Sequence, residues 1–185
     1  MSLALEVRRL SQRDLCDDFS AGSGEDEVKL NEFFRRYAKK HQARQISATS
    51  VAVAGTTIAG FVTITPSVVP AELIKDRVNG LGRYPAPVLL LARMATDARC
   101  QRQGVGSRLM RNVVFARALE LADGFGCVGV YVDPKPTALA FYSQFGFTAL
   151  PVEGRDPAPM FLPLATIRAA LATSPAEVSH AAAPG

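Results

Sequence analysis

Residues 89–122 read LLLARMATDARCQRQGVGSRLMRNVVFARALELA, the most informative pattern in the chain. It begins with an apolar run typical of a buried strand, continues through a basic loop with two glycines, and ends in a long helical pattern. The first turn of a helix carries unpaired N–H groups and the positive end of the helix dipole. Gly104 and Gly106 let a ligand approach the backbone closely. The stretch therefore predicts a binding site for an anion such as a diphosphate.

Two common diphosphate sites do not fit this loop. A P-loop needs a lysine and then Ser or Thr after its last glycine, but here Ser107 follows Gly106 directly, which argues against a nucleoside triphosphatase. A dinucleotide-binding fingerprint needs a third glycine, and Leu109 stands at that position. The surrounding pattern is also not a parallel βαβ unit.

Length and composition predict one folded domain. The chain has 185 residues, of which 48% are hydrophobic and 21% charged, so it is not a disordered sequence. The net charge of +4 permits a polyanionic partner without requiring one. The three cysteines have neither zinc-site nor redox-motif spacing, and no apolar run approaches the roughly 20 residues of a membrane span. We expect a cytoplasmic protein with reduced thiols, no metal, and no membrane association.

The pattern on either side of this stretch predicts a mixed sheet with helices on its faces. Strands are predicted at 3–9, 47–54, 57–65, 87–96, 128–133, 146–152 and 159–164. Helices are predicted at 28–45, 106–122, 136–144 and 165–171, and a long connection at 66–86. The first hairpin is antiparallel, which favours an α/β fold of the α+β type. A single domain would span 1–172, and the small polar residues of 173–185 predict a disordered tail.

Two motifs in order resemble the GNAT superfamily of acetyl-CoA-dependent N-acetyltransferases. The loop Gln101-Arg102-Gln103-Gly104-Val105-Gly106 matches its Gln/Arg-x-x-Gly-x-Gly/Ala signature, and 140–147, AFYSQFGF, resembles its Ala-x-x-Phe-Tyr-x-x-x-Gly-Phe element. The resemblance implies a mostly antiparallel mixed sheet whose central strands splay apart. It also implies that acetyl-CoA binds to residues Met94, Ala95, Thr96, Gln101, Arg102, Gln103, Gly104, Val105, Gly106 and Ser107.

The same resemblance implies a mechanism. An amine attacks the thioester carbonyl while a main-chain N–H near Met94 or Ala95 stabilises the oxyanion. Tyr142 is the expected catalytic residue, because a phenol donates a proton to the leaving thiolate without being ionised at neutral pH. The phenylalanines of that element are assigned to the core.

A general base is harder to find. Family members often carry a glutamate on the central strand, but here no carboxylate precedes Asp97, and His41 lies on a surface helix. A lysine side chain, with a pKa near 10.4, would need such a base, whereas an α-amino group near 7.7–8.0 would not. The sequence thus favours an acceptor amine of low pKa.

The N-terminal half resembles the GNAT toxins of bacterial toxin–antitoxin pairs. It shares their aromatic helix, here 30–38, LNEFFRRYA, and their Leu-Gly/Ala-Arg-Leu-Ala-Val-Asp strand, here 91–97, LARMATD. One departure is Ala21, where the toxins commonly have cysteine. The resemblance implies acetylation of the α-amino group of aminoacyl-tRNA, a ribbon-helix-helix antitoxin and a homodimer. Basic residues that could then meet tRNA phosphates are Arg35, Arg36, Lys39, Lys40 and Arg93.

Two alternatives stay open. The chain could acetylate a small-molecule or protein amine, which an acidic pocket or a carboxylate base would favour. It could also bind acyl-CoA without turnover, although Tyr142 and the loop glycines are present and favour catalysis.

Overall fold

A seven-stranded sheet forms the centre of the computed structural model, which describes residues 4–173. The strands are β1 Glu6–Arg9, β2 Ala48–Ala54, β3 Thr57–Val69, β4 Ala86–Thr96, β5 Gly129–Val132, β6 Thr148–Ala149 and β7 Met160–Pro163. Their spatial order is β1-β2-β3-β4-β5-β7-β6, and every neighbouring pair is antiparallel except β4 and β5. The mixed, mostly antiparallel sheet predicted from the sequence is confirmed.

Five helices accompany the sheet in the described part of the chain. Helix α1 consists of Glu25–Glu32, a π-helical segment Phe33–Tyr37 and Ala38–Ala43. Helix α3 is built in the same way from Val105–Leu109, a π-helical segment Met110–Phe115 and Ala116–Gly124. The shorter helices are α2 Ala71–Ile74, α4 Leu139–Ser143, which follows a 3₁₀ turn Pro136–Ala138, and α5 Leu164–Thr173. A further 3₁₀ turn, Ala98–Cys100, follows β4.

The two faces of the sheet bury separate cores, as the alternation of side chains along a strand requires. On one face, one core contains Val62 of β3, the apolar side of α3 and Ile167 of α5. On the other face, Phe61 stacks on Phe34 of α1 with ring centroids 4.4 Å apart. The long helices α1 and α3 therefore lie on opposite faces of β2, β3 and β4.

A β-bulge at Ala92 sets the direction of the next side chains of β4. Thr63 pairs with Arg93 but Ile64 pairs with Leu91, so Ala92 is an extra residue on β4. Leu91 belongs to the core beneath α3, whereas Arg93 lies over an aromatic ring of α1. The bulge thus turns Arg93 to the α1 face, where strict alternation from Leu91 would have turned it towards α3.

The central strands β4 and β5 separate soon after they meet. They pair in parallel only from Leu89 with Val130 to Leu91 with Val132, and β4 then continues to Thr96 without a partner on that side among residues 4–173. This confirms the expected splay and leaves main-chain groups of β4 facing an opening between the strands.

Several predicted boundaries were wrong. The connection predicted at 66–86 begins later, because strand β3 continues to Val69. Pro66 pairs with Leu89 of β4 on one side, and no residue of β2 lies opposite it on the other side. The missing N–H of Pro66 therefore interrupts no ladder of hydrogen bonds. The strand predicted at 146–152 shortens to Thr148–Ala149 at the sheet edge. The predicted tail from 174 onward lies outside the described residues. No helix in residues 4–173 is long and apolar enough to cross a membrane.

Candidate active site

An open cleft of about 1120 Å³ lies where β4 and β5 separate. Residues 90–96 of β4 form its floor, and the loops after β4 and β5 and helices α1 and α4 form its walls. Three predicted coenzyme residues of β4, namely Met94, Ala95 and Thr96, line it. Since β4 has no strand partner here, its main chain can pair with an extended ligand as an added strand would.

The glycine-bearing loop leads directly into α3. Gly104 has a φ of 78°, in the left-handed region, and a Cβ placed on it would meet no atom of residues 4–173 within 4 Å. A Cβ on Gly106 would lie 3.0 Å from the Phe141 ring and 3.8 Å from Met94, so Gly106 permits close packing beside the cleft. In the described part of the chain no side chain caps the start of α3. Its first N–H groups are therefore available to an anion such as a diphosphate.

Two side chains of this loop donate hydrogen bonds to main-chain carbonyls. Gln101 donates from Nε2 to the carbonyl of Ala21 at 3.1 Å, and Gln103 donates from Nε2 to the carbonyl of Arg99 at 3.2 Å. Gln101 and Arg102 line the cleft. The other predicted loop residues come after them in the chain and lead into α3, which begins at Val105. The two glutamines hold the loop in shape, so a diphosphate would meet mainly main-chain N–H groups and Arg102.

Tyr142 brings a phenol to the cleft from α4. Its ring packs 5.4 Å from those of Phe141 and Phe147, and only 6% of the residue is exposed. Burial raises the pKa of Tyr142 to about 12, because the charged phenolate is poorly solvated there. Within residues 4–173 its hydroxyl has no hydrogen-bond partner, although it lines the cleft. Tyr142 is thus a neutral donor whose proton is free for a ligand.

The match to known proteins agrees with this geometry. Residues 45–149 match the family described as Acetyltransferase (GNAT) domain, which covers more than half of the chain. The chain belongs to the GNAT acetyltransferases. It is an acetyl-CoA-dependent N-acetyltransferase, with the coenzyme as the acetyl donor.

Relatives within the GNAT family are named as toxins. The tRNA-acetylating toxin of Mycobacterium tuberculosis is 30% identical over 147 residues, covering 79% of this chain and 86% of the relative. A crystal structure of a bacterial toxin has a TM-score of 0.81 at 21% identity, covering 92% of this chain and 97% of that one.

A third relative, the toxin AtaT, has been solved with its ligands. AtaT complexed with acetyl-methionyl-tRNAfMet has a TM-score of 0.76 at 22% identity, covering 91% and 99% of the two chains. A mutant of AtaT bound to acetyl-CoA and the C-terminus of the antitoxin AtaR has a TM-score of 0.72 at 20% identity, covering 92% and 99%. At these identities the solved structures establish the shared fold.

Asp97, the first carboxylate after the central strand, is not free to act as a base. Its carboxylate is 1% exposed and accepts hydrogen bonds from the Arg99 side chain at 2.7 and 3.0 Å and from the N–H of Ser20 at 3.1 Å. Burial alone would raise the pKa of Asp97, but the hydrogen bonds from Arg99 and Ser20 outweigh it and hold that pKa below its usual value. Asp97 therefore joins the N-terminal loop to the coenzyme loop.

Arg93 is an unpaired cation inside the GNAT cleft. Its guanidinium carbon lies 4.0 Å from the centroid of the Phe33 ring, a cation–π contact with α1. Burial lowers the pKa of Arg93, and no carboxylate of the described residues forms a salt bridge with it. A partly desolvated charge without a counterion is stabilised by an anionic ligand.

The basic helix divides into two pairs with different surroundings. Arg35 donates to the carbonyl of Phe19, and Lys39 donates to the carbonyl of Gln12 at 3.1 Å, so both hold the N-terminal loop against α1. Within residues 4–173, Arg36 forms a long ion pair of 3.6 Å with Glu32, and Lys40 is exposed, with its ammonium 6.0 Å from the Tyr37 ring centroid. Arg36 and Lys40 are therefore the two that a nucleic acid could reach without displacing a contact to the main chain.

Three features of the site were not anticipated from the sequence. Phe141, assigned to the core, also lines the cleft. Gly60 of β3 allows α3 to sit on the sheet, since a Cβ there would lie 2.7 Å from Val105 Cγ1. Lys135 forms a 2.9 Å ion pair with Asp26 between two walls of the cleft. The last two join residues far apart in the chain, and no local motif signals them.

Proposed function

We propose that this GNAT enzyme acetylates the α-amino group of aminoacyl-tRNA and thereby blocks translation. The proposal takes its substrate class from the relatives, one named a tRNA-acetylating toxin and one complexed with acetyl-methionyl-tRNAfMet. It places the reaction in the cytoplasm, where charged tRNA is used. An antitoxin that binds this chain belongs to the same proposal, because AtaT binds the C-terminus of AtaR. A homodimer stays a prediction.

The observation that carries the proposal is a cleft with a proton donor and no carboxylate on β4, which forms its floor. Asp97, just after β4, is held by Arg99, and of the acidic side chains on the walls, Asp26, Glu32 and Asp133 are in ion pairs, whereas Glu27 is in none among the described residues. An acceptor amine that arrives neutral needs no base from the floor. At pH 7 about 10–20% of an α-amino group is neutral, against about 0.04% of a lysine side chain. The site therefore favours an α-amine over a lysine by a factor in the hundreds.

The residues of the cleft would divide the reaction between them. The coenzyme supplies the acetyl group as a thioester, the acceptor nitrogen bonds to the carbonyl carbon, and the carbon–sulfur bond breaks. An N–H of β4 near Met94 or Ala95 would stabilise the oxyanion. Tyr142 would donate its proton to the leaving thiolate and regain one from water, while the acceptor loses its own proton to solvent.

Two arginines of the cleft support an anionic acceptor. Among the described residues, Lys29 pairs with Glu25 and Lys135 with Asp26, whereas Arg93 and Arg102 line the cleft without a carboxylate partner. One cation would remain for the coenzyme diphosphate and one for a phosphate of the acceptor.

Acetyl transfer to tRNA tests the proposal directly. Labelled acetyl-CoA is incubated with the enzyme and either a charged tRNA pool or the same pool after deacylation. We expect label on the charged pool alone. Label on neither pool, with acetyl-CoA binding intact, would reject the proposal and point to a small-molecule or protein amine.

A further inference from the structure

Tyr37 is an aromatic side chain that the fold leaves uncovered inside the cleft. It follows Phe33 and Phe34 on the π-helical segment of α1, and these two are 5% and 1% exposed, whereas Tyr37 is 43% exposed. Its ring lines the cleft, and the Lys40 ammonium lies 6.0 Å from the ring centroid. Leaving so much aromatic surface in water forgoes stabilisation that a ligand packed on the ring would recover.

Arg93 lines the same cleft as this ring. Arg93 is held over Phe33, and Tyr37 follows Phe33 by four residues on the same π-helical segment. The cleft therefore presents a cation held on α1 and a partly exposed aromatic ring on the same helical segment. A phosphate and a neighbouring unpaired base of a single-stranded nucleic acid need this combination of contacts.

The position of Tyr37 also separates it from the coenzyme. The start of α1 is tied to the coenzyme loop, since Ala21 donates its N–H to Asn31 Oδ1 at 2.7 Å and its carbonyl accepts from Gln101. Tyr37 lies six residues farther along α1 than Asn31 and makes no hydrogen bond to the coenzyme loop among the described residues. The ring is therefore farther along α1 than the contact with the coenzyme loop, on a part of the cleft wall that the acceptor could use.

We propose that Tyr37 stacks on a base of the acceptor's single-stranded 3′ end while Arg93 binds a phosphate of the same end. The inference rests on the proposed function and names the contacts that make the enzyme select a nucleotide-bearing acceptor over a free amino acid ester. Because every base has a π face, this contact carries no base identity. Discrimination between tRNAs would come from other contacts.

The stacking role of Tyr37 is tested by comparing two acceptors that carry the same reacting amine. Charged tRNA is compared with the methyl ester of its amino acid, which lacks any base or phosphate. Tyr37→Ala should raise the KM for charged tRNA by about 5- to 150-fold, the range for loss of one base–aromatic stack. The kcat/KM for the methyl ester and the KM for acetyl-CoA should stay at wild-type values. Tyr37→Phe should behave as wild type, and Tyr84→Ala, an exposed tyrosine outside the cleft, is the matched control.

The phosphate contact has its own readout. Arg93→Ala should reduce the slope of log KM for charged tRNA against log salt by about 1, the value for one lost phosphate contact. Arg111→Ala, which removes an exposed arginine of α3, should leave the slope unchanged. An unchanged slope for Arg93→Ala would overturn the phosphate assignment.

The possible outcomes separate this inference from the proposed function. If wild-type enzyme acetylates charged tRNA but Tyr37→Ala leaves its KM unaltered, the stacking role is overturned and the proposed function stands. If Tyr37→Ala impairs the methyl ester to the same degree, the ring contacts the amino acid itself and the inference is wrong. A wild-type enzyme that acetylates only the methyl ester would reject the proposed function and this inference together.

Discussion

Replacing Tyr142 by Phe removes one oxygen atom and leaves the ring in place. The ring packs between Phe141 and Phe147, and those contacts need no hydroxyl. The hydroxyl has no partner in the described residues, so its loss breaks no internal hydrogen bond. We therefore expect Tyr142→Phe to fold normally and to lose only the proton that the leaving thiolate would receive.

The magnitude follows from the environment of the hydroxyl. A positioned acid contributes about 10²–10⁴-fold to a rate. Burial raises the pKa of Tyr142 to about 12, so the phenol is a weak acid, and the lower part of that range applies. We expect kcat to fall about 10²–10³-fold, equivalent to about 3–4 kcal/mol in the activation barrier. Removing a poorly solvated hydroxyl without a partner should leave the free energy of unfolding unchanged or raise it by up to about 1 kcal/mol.

Steady-state kinetics test the predicted fall in kcat, and thermal unfolding tests the predicted stability of Tyr142→Phe. The KM for acetyl-CoA should stay within about 3-fold of wild type, because the hydroxyl acts on the leaving sulfur rather than in binding. Tyr131→Phe is the matched control, because the Tyr131 hydroxyl donates a 3.3 Å hydrogen bond to Asp133 on the surface. It should keep its activity. A Tyr142→Phe enzyme with kcat close to wild type would refute the assignment of Tyr142 as the donor.

Three further predictions follow from the site and its support. The kcat/KM for the acceptor should rise as its amine deprotonates near pH 7–8 and should not fall before about pH 10 in initial-rate assays, since the raised pKa of Tyr142 keeps the donor protonated. Neutralising Arg36 and Lys40 together to Gln should raise the KM for charged tRNA and flatten its salt dependence by about 1 per residue, with the KM for acetyl-CoA unchanged. Gly60→Ala should lower the free energy of unfolding in urea by about 1–3 kcal/mol, because its Cβ would lie 3.0 Å or less from two neighbouring groups. Gly82→Ala, with nothing near it in residues 4–173, should stay within about 0.5 kcal/mol.

The sequence predicted the parts of the site that depend on neighbouring residues in the chain. The loop before α3 could be recognised because a helix start and its glycines are local features, and the left-handed Gly104 agrees with that reasoning. Tyr142 was found through the motif around it. The splayed strands also agree with the family resemblance. Coenzyme binding by each named residue stays a prediction.

The parts that the sequence did not reveal depend on distant pairs or on single insertions. The bulge at Ala92 is one extra residue in an apolar strand, and no periodicity marks it, although it determines which face Arg93 occupies. The roles of Arg35 and Lys39 were also hidden, because their partners are main-chain carbonyls of a loop that any sequence could supply. A pattern of basic residues could not distinguish these two from cations that are free to meet phosphate.

The most direct test of the account is to locate the acetyl group on the product. Charged tRNA is reacted with acetyl-CoA and the enzyme, digested with nuclease, and the aminoacyl-adenosine is analysed by mass spectrometry. We predict one added acetyl group on the α-nitrogen of the amino acid, in an amount that depends on Tyr142. An acetyl group on a base or ribose, or an unmodified aminoacyl-adenosine from an enzyme that is active towards other amines, would contradict it.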